Sequence, residues 1–363
     1  MITERRSPDA CAIERAAALL RAGGLVAFPT ETVYGLGANA FDQDAVHKIF
    51  AAKGRPSDNP LIVHVADVEA ALPLCHISRE AHILIDAFCP GPLTLLLPKT
   101  DRVLHQVNAG LPNVAIRIPS NPIAQALLRA SRLPIAAPSA NASGRPSPTT
   151  ADHVYHDLQG KVPLILDGGP CTVGLESTVL DMTAETPTIL RPGAITLEQL
   201  LAVLPAARVT DSVLRPLKQG EKACSPGMLY RHYAPNGKLV LVTGQPDRVR
   251  DRCLHLYRQA TQEGIVAKIL IFEEHRPLYN AYWTDEESGT LRSMGFLSHP
   301  ETVARRLFSL LRRMDEDGAE LILCEAMAPC GIGLAIMNRL RRAASFRMED
   351  ADQPWHPLER SRQ

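Results

Sequence analysis

The chain lacks any run of about 18 apolar residues, which excludes an ordinary membrane-spanning helix. It lacks an excess of either charge. Lysine plus arginine number 39 and aspartate plus glutamate number 39, so the polybasic signature of avid nucleic-acid or membrane binding is missing and any anion site must be local. No C-x-x-C pair occurs among the cysteines at 11, 75, 89, 171, 224, 253, 324 and 330, so neither a disulfide framework nor a zinc site is indicated. Cys75-His76 is a lone pair with no second pair at ligand spacing. The P-loop pattern G-x-x-x-x-G-K-[ST] is absent, as is a G-x-S-x-G elbow. "GIGLAI", Gly331 to Ile336, holds only two of the three dinucleotide-binding glycines and reads as helix-strand packing. The N-terminus mixes acids with arginines and has no long apolar core, so the expectation is a soluble cytoplasmic protein.

What is present is enough chain for two cores: 363 residues, 45% hydrophobic. "CAIERAAALLRAGG" has helical periodicity ending at glycines, and the strand "GLVAF" follows. Asp42 is an N-cap candidate for a helix carrying Val46, Ile49 and Phe50 and ending near Gly54. The runs "LIVHV", "LTLLLP", "NVAIRIP", "LPIAA", "PLILD", "STVLD" and "TIL", with helices around "SREAHILIDAF", 123–131 and 196–204, predict an α/β domain over 1–204 with a twisted, mixed sheet. Periodicity fades over 205–237, which composition marks as a linker. From 238 to 346 strand and helix alternate, the pattern of a smaller parallel, doubly wound (Rossmann-like) domain, and 347–363 is left as a tail.

Five polar clusters stand at the ends of apolar segments in the first domain. "FPTETVYGLG", Phe28 to Gly37, supplies Thr30, Glu31, Thr32 and Tyr34, with Gly35 and Gly37 available for positive φ or close approach to a ligand. "KGRPSDNPLIVHV" places Lys53 and Arg55 about Gly54, then Asn59 and His64. Arg117 lies on the strand face opposite Val114, Ile116 and Ile118, where it can snorkel to water or use its planar fork on a carboxylate or phosphate. "APSANASGRPSPTT" sets Ser139, Asn141, Ser143, Ser147 and Thr149 beside Arg145, and "GLESTVLD" with "ILRPGAI" adds Ser177, Thr178 and Arg191. Each cluster alone is compatible with loop chemistry. Together, four of the five mixing hydroxyls or amides with a cation, they favour one convergent anion site that acts by electrostatic positioning.

These same motifs resemble the YrdC-like family, and "SPGMLYRHYAP" with "GIGLAIMNRLRRAA" resembles its long form, threonylcarbamoyl-AMP synthases with an added C-terminal domain. The resemblance implies a concave basic cavity in the first domain. There L-threonine, bicarbonate or CO2, and ATP with Mg2+ give threonylcarbamoyl-AMP and pyrophosphate, for hand-off to a tRNA threonylcarbamoyl transferase complex. It implies that Thr32, His64, Arg117, Ala137 and Ser177 surround threonine. It assigns ATP to Lys53, Arg55, Asn59, Asn113, Ser139, Asn141, Ser147 and Arg191, helped by Tyr230 and Tyr233, with Lys53 and Arg55 offsetting charge in the reaction. Asn113 stands where the family leads one to expect threonine. The patterned linker, with Pro226, Gly227 and Pro235, reads as a lid over the cavity. Rival readings are a double-stranded RNA or tRNA binding module and a carbamoyltransferase with another acceptor; direct tRNA contact is not required.

Overall fold

The computed structural model describes residues 1–215, 233–282 and 289–354; Tyr230 and most of the expected linker lie outside the described residues. The first helix, Ala10–Arg21, begins where Asp9 accepts a hydrogen bond from the Ala12 N–H, and it buries Ile13, Ala16, Ala17 and Leu20. Helix Gln43–Lys53 starts at the expected Asp42 cap, turns Ala45, Val46, Ile49 and Phe50 inward, and closes at Gly54. Its last residue, Lys53, is thereby delivered to the interior.

Among the described residues, an eleven-stranded mixed sheet runs in the order Glu4–Arg6, Leu164–Leu166, Val26–Phe28, Gly35–Asn39, Ile135–Ala136, Ile62–His64, Asn113–Arg117, Leu93–Pro98, Thr178–Asp181, Thr188–Arg191 and Arg208–Val209. Strand Asn113–Arg117 is parallel to Ile62–His64 and antiparallel to Leu93–Pro98, so Arg117 stands in register between His64 and Thr94. The expected alternation is present, but both faces are covered. Ile116 enters the main core, while Ala115 packs with Ile62, Leu96, Val179 and Leu190 in a second cluster. Arg117 is therefore 4% exposed and does not snorkel to water.

"FPTETVYGLG" joins two antiparallel strands, with Phe28 paired to Gly35 and Val26 to Gly37. The two glycines lie in strand Gly35–Asn39 and are not among the positive-φ residues. At Gly37 a Cβ would sit 2.7 Å from Ile135 Cγ2 and 2.8 Å from Phe28 Cε1, so close packing inside the sheet explains that glycine, not approach to a ligand.

The second sheet is all parallel, in the order Leu291–Gly295, Ala267–Phe272, Leu321–Glu325, Lys238–Thr243 and Met348–Asp350. Leu239 and Leu241 face helices Pro300–Glu316 and Ile332–Ala343; Val240 and Val242 face helix Pro246–Gln262. Besides Glu4–Arg6 and Gly35–Asn39, which fall in stretches not read as strand, three strands depart from the sequence reading. Arg208–Val209 carries the first sheet beyond residue 204, Leu291–Gly295 was not foreseen, and Met348–Asp350 belongs to the second sheet instead of a tail. All three are short or poor in apolar residues, and pairing with a neighbour, not periodicity, makes them strands.

The two domains share apolar packing, since Val33 and Leu175 of the first join the cluster of Leu239, Phe308 and Leu340. Gly174, at φ +82°, lets the chain pass the helix Pro300–Glu316: a Cβ there would lie 2.5 Å from Arg305 Cα. No helix among the described residues is long and apolar enough to cross a membrane.

Candidate functional site

One cleft brings the polar clusters together. Its walls bound about 750 Å³ of space between protein atoms, solvent at the mouth included. Of the residues that the family resemblance assigns to threonine or ATP, Lys53, Arg55, His64, Arg117, Ala137, Ser139, Asn141, Ser147, Ser177, Arg191 and Tyr233 line it. Three others do not. Thr32 is fully buried behind the wall, its hydroxyl 2.8 Å from that of Thr30, and it is Thr30 that faces the cleft. Asn59 is buried outside the wall. Asn113 borders a separate small void with Asn108 and Leu111, on the far side of Pro60 and Leu61. Strand register explains this last placement: Asn113 is at the opposite end of its strand from Arg117.

The polar side chains are tied down from several elements. Arg117 Nη2 donates to Glu31 Oε1 at 2.8 Å, a buried ion pair between sheet and connecting loop. The buried Arg117 Nε and His64 Nδ1 have no hydrogen-bond partner among the described residues. Lys53 Nζ donates to the carbonyls of Ser139 and Asn141, the latter at 2.6 Å, and so pins the serine-rich loop to the end of its helix. Ser139 Oγ donates to Asn141 Oδ1, whose amide in turn donates to the carbonyls of Ala142 and Arg145. Arg191 donates from Nε and Nη2 to the Ser177 carbonyl at 3.1 and 3.0 Å and from Nη2 to its hydroxyl. Arg55 Nη2 donates to the Pro60 carbonyl at 3.2 Å.

Glu176, Arg312 and Arg339 are neighbours of the cleft that the sequence reading did not select, and Glu31, named in the first cluster, had no role assigned to it. Ser147 Oγ donates to Glu176 Oε1, and Arg339 Nε donates to Glu176 Oε2 at 2.9 Å. Arg312 donates to both oxygens of Asp157, at 3.0 and 2.8 Å, and to the Pro146 carbonyl. Both arginines come from the second domain, more than 150 residues away in sequence, so no local pattern could have paired them. Tyr233 stacks on Phe308, centroids 5.3 Å apart, and is buried at the junction.

Electrostatically the cleft is cationic: Lys53, Arg55, Arg117, Arg145 and Arg191 face it against Glu176. Burial pushes the Lys53 ammonium well down, and the charge of Arg55 adds to this. Burial, then the charge of Arg117, lowers His64 to about 3 and keeps its ring neutral. Burial alone would raise Glu31 and Glu176. The charge and hydrogen bond of Arg117 outweigh it at Glu31, and Arg339, Arg191 and Ser147 outweigh it at Glu176, so both are held below the usual carboxylate range. Such a wall can bind anions and stabilise developing negative charge.

A mixed-sheet domain with a buried cationic cleft, docked on a parallel-sheet domain, is the two-domain Sua5/YrdC architecture. Residues 18–193 match the Sua5/YciO/YrdC family model, described as telomere recombination, and residues 195–345 match that of the threonylcarbamoyl-AMP synthase C-terminal domain. Threonylcarbamoyl-AMP synthase of Bacillus subtilis is 48% identical over 349 residues, 96% of this chain and 97% of its own. That of Pyrococcus abyssi is 45% identical over 350 residues, 96% and 98% of the two chains. The crystal structure of P. abyssi Sua5 complexed with L-threonine has a TM-score of 0.86 at 43% identity, covering 96% of this chain and 98% of that one. The chain belongs to the threonylcarbamoyl-AMP synthase family, in the long form with a C-terminal domain.

Proposed function

We propose that the chain makes L-threonylcarbamoyl-AMP from L-threonine, bicarbonate or CO2, and ATP, releasing pyrophosphate. The neutral amine of threonine attacks CO2 to form an N-carboxylate and loses a proton. A carboxylate oxygen then attacks the α-phosphorus of ATP while the bond to pyrophosphate breaks. Both steps gather negative charge, which the cationic wall offsets while it aligns the reacting groups. The product is a donor for threonylcarbamoylation of the adenosine beside the tRNA anticodon, passed to a transferase complex, and the cytoplasm is the compartment this reading implies.

The observation that carries the reading is the pair Arg117 and His64, register partners that both line the cleft and whose buried Nε and Nδ1 have no hydrogen-bond partner among the described residues. An amino-acid carboxylate suits the arginine fork, with Ala137 and Ser177 beside it and Thr32 acting through Thr30. The phosphates then fall to Arg55, Arg191, Ser139, Asn141 and Ser147. Lys53 supplies charge and shapes the loop, and Tyr233 offers a flat cover. Burial of Lys53, Arg117 and Arg191 favours a small ligand over an RNA duplex, which needs exposed cations.

Among the described residues no group of three His, Cys, Asp or Glu side chains could hold a metal, so Mg2+ fits as part of the ATP complex, on phosphate and water oxygens. It would supply neutralisation of phosphate charge. Mass spectrometry of purified protein incubated with ATP, Mg2+, bicarbonate and threonine tests the proposal. Threonylcarbamoyl-AMP is expected only when all four are present; its absence from the complete mixture, or AMP formation that does not depend on threonine, refutes the proposal.

A further inference from the structure

Arg339 is the largest fully buried side chain described in the molecule, and it belongs to the second domain, on helix Ile332–Ala343. Its guanidinium nevertheless organises the wall of a cleft in the first. Nε meets Glu176 at 2.9 Å, and Glu176 in turn accepts from Ser147. Nη1 donates to the Pro192 carbonyl at 2.7 Å, one residue beyond Arg191. The same group lies 5.6 Å from the centre of the Tyr233 ring. Ser147, Glu176, Arg191 and Tyr233 all line the cleft.

We propose that Arg339 is a positioning residue for the nucleotide side of this cleft, through which the second domain sets the geometry of the first. The inference rests on the functional reading above, because Ser147, Arg191 and Tyr233 are the groups assigned there to ATP. The neighbouring Arg191 is already committed to Ser177 by three hydrogen bonds, so Arg339 is the cation that makes direct contact with Glu176. A buried carboxylate without such a partner must take a proton or move; the first weakens the hydrogen bond it accepts from Ser147 and the second breaks it. The planar fork addresses a carboxylate, a carbonyl and an aromatic face at once. Lysine, a point charge, can replace only part of that.

An ordinary interdomain tie would behave differently. Its loss would lower stability and weaken every ligand together, whereas a positioning role on one side of the cleft separates nucleotide from amino acid. The test is calorimetric titration of wild type, Arg339→Met and Arg339→Lys with the Mg2+ complex of α,β-methylene-ATP and, separately, with L-threonine, alongside thermal unfolding and product assays. The control is Arg305→Met, which removes the exposed interdomain bond from Nε to the Thr172 carbonyl.

Expected are a nucleotide Kd raised about tenfold in Arg339→Met and about threefold in Arg339→Lys, threonine Kd within about twofold throughout, and no change for Arg305→Met. Equal loss for both ligands, or none for either, overturns the proposal. If Arg339→Met does not fold, the lysine variant decides: nucleotide affinity equal to wild type overturns it. Absence of product from wild type that still binds the nucleotide would sink the functional reading alone, because the titrations judge Arg339 independently.

Discussion

Glu31 and Arg117, 86 residues apart, meet at 2.8 Å in a buried ion pair that fastens the loop of the first polar cluster to the centre of the sheet. The pair orients Arg117 while its buried Nε has no hydrogen-bond partner among the described residues. Replacing Glu31 by alanine strands the guanidinium in a low-dielectric site, and the expected cost is about 3 to 5 kcal/mol of stability. Threonine affinity should fall with it, and more than nucleotide affinity. Urea unfolding and calorimetry on Glu31→Ala check both; unchanged threonine binding would mean that the pair is structural only.

Lys53 gives its hydrogen bonds to backbone, so its removal should be felt as loop disorder as well as lost charge. Lys53→Met leaves the Ser139 and Asn141 carbonyls without that donor, at an expected cost of about 1 to 3 kcal/mol. Arg55→Ala, at the rim, should leave stability nearly unchanged while raising the KM for ATP. Thermal unfolding of the two variants beside ATP kinetics separates the roles; equal stability in both would contradict the assignment to Lys53.

Arg312 and Asp157 form a bidentate tie between the domains, with the Asp157 side chain fully buried. Arg312→Ala leaves Arg145 and a mostly exposed His156 to face that carboxylate. The second domain is expected to loosen first, splitting a single calorimetric unfolding transition into two. A single transition at the wild-type temperature would show that apolar packing alone holds the junction.

Acid should destabilise the protein in two stages. His64 and His153 are depressed by burial from 6.5 to about 3 and about 4, so below pH 6.5 the unfolded chain binds protons that the folded one refuses. Stability is therefore complete above about 6.5 and declines as pH falls toward those folded values. The depressed carboxylates Glu31, Asp157 and Glu176 add their own loss as pH falls below the usual carboxylate range. Urea unfolding from pH 8 to 4 should show this slope, and His64→Gln should flatten it between 6.5 and 4. An unchanged slope in that variant would rule out His64 as a source.

The sequence alone determined what is written locally in the chain. Asp42 and Gly54 bound a helix because capping acts within a turn, and Val46, Ile49 and Phe50 show its inward face because helical period is local. The cation and hydroxyl clusters, and the order of motifs that marks the family, are equally readable. Only the tertiary structure decided which of these groups face one another. It put Thr30 in front of Thr32, sent Asn113 to the wrong end of its strand for the cleft, and turned Gly37 from a ligand contact into a packing contact with Phe28 and Ile135. Arg117 gained Glu31, and Glu176 gained Arg339, across separations of 86 and 163 residues. Burial makes those charges find partners, but which partner is available depends on sheet register and domain docking, and neither has a local signature in the chain.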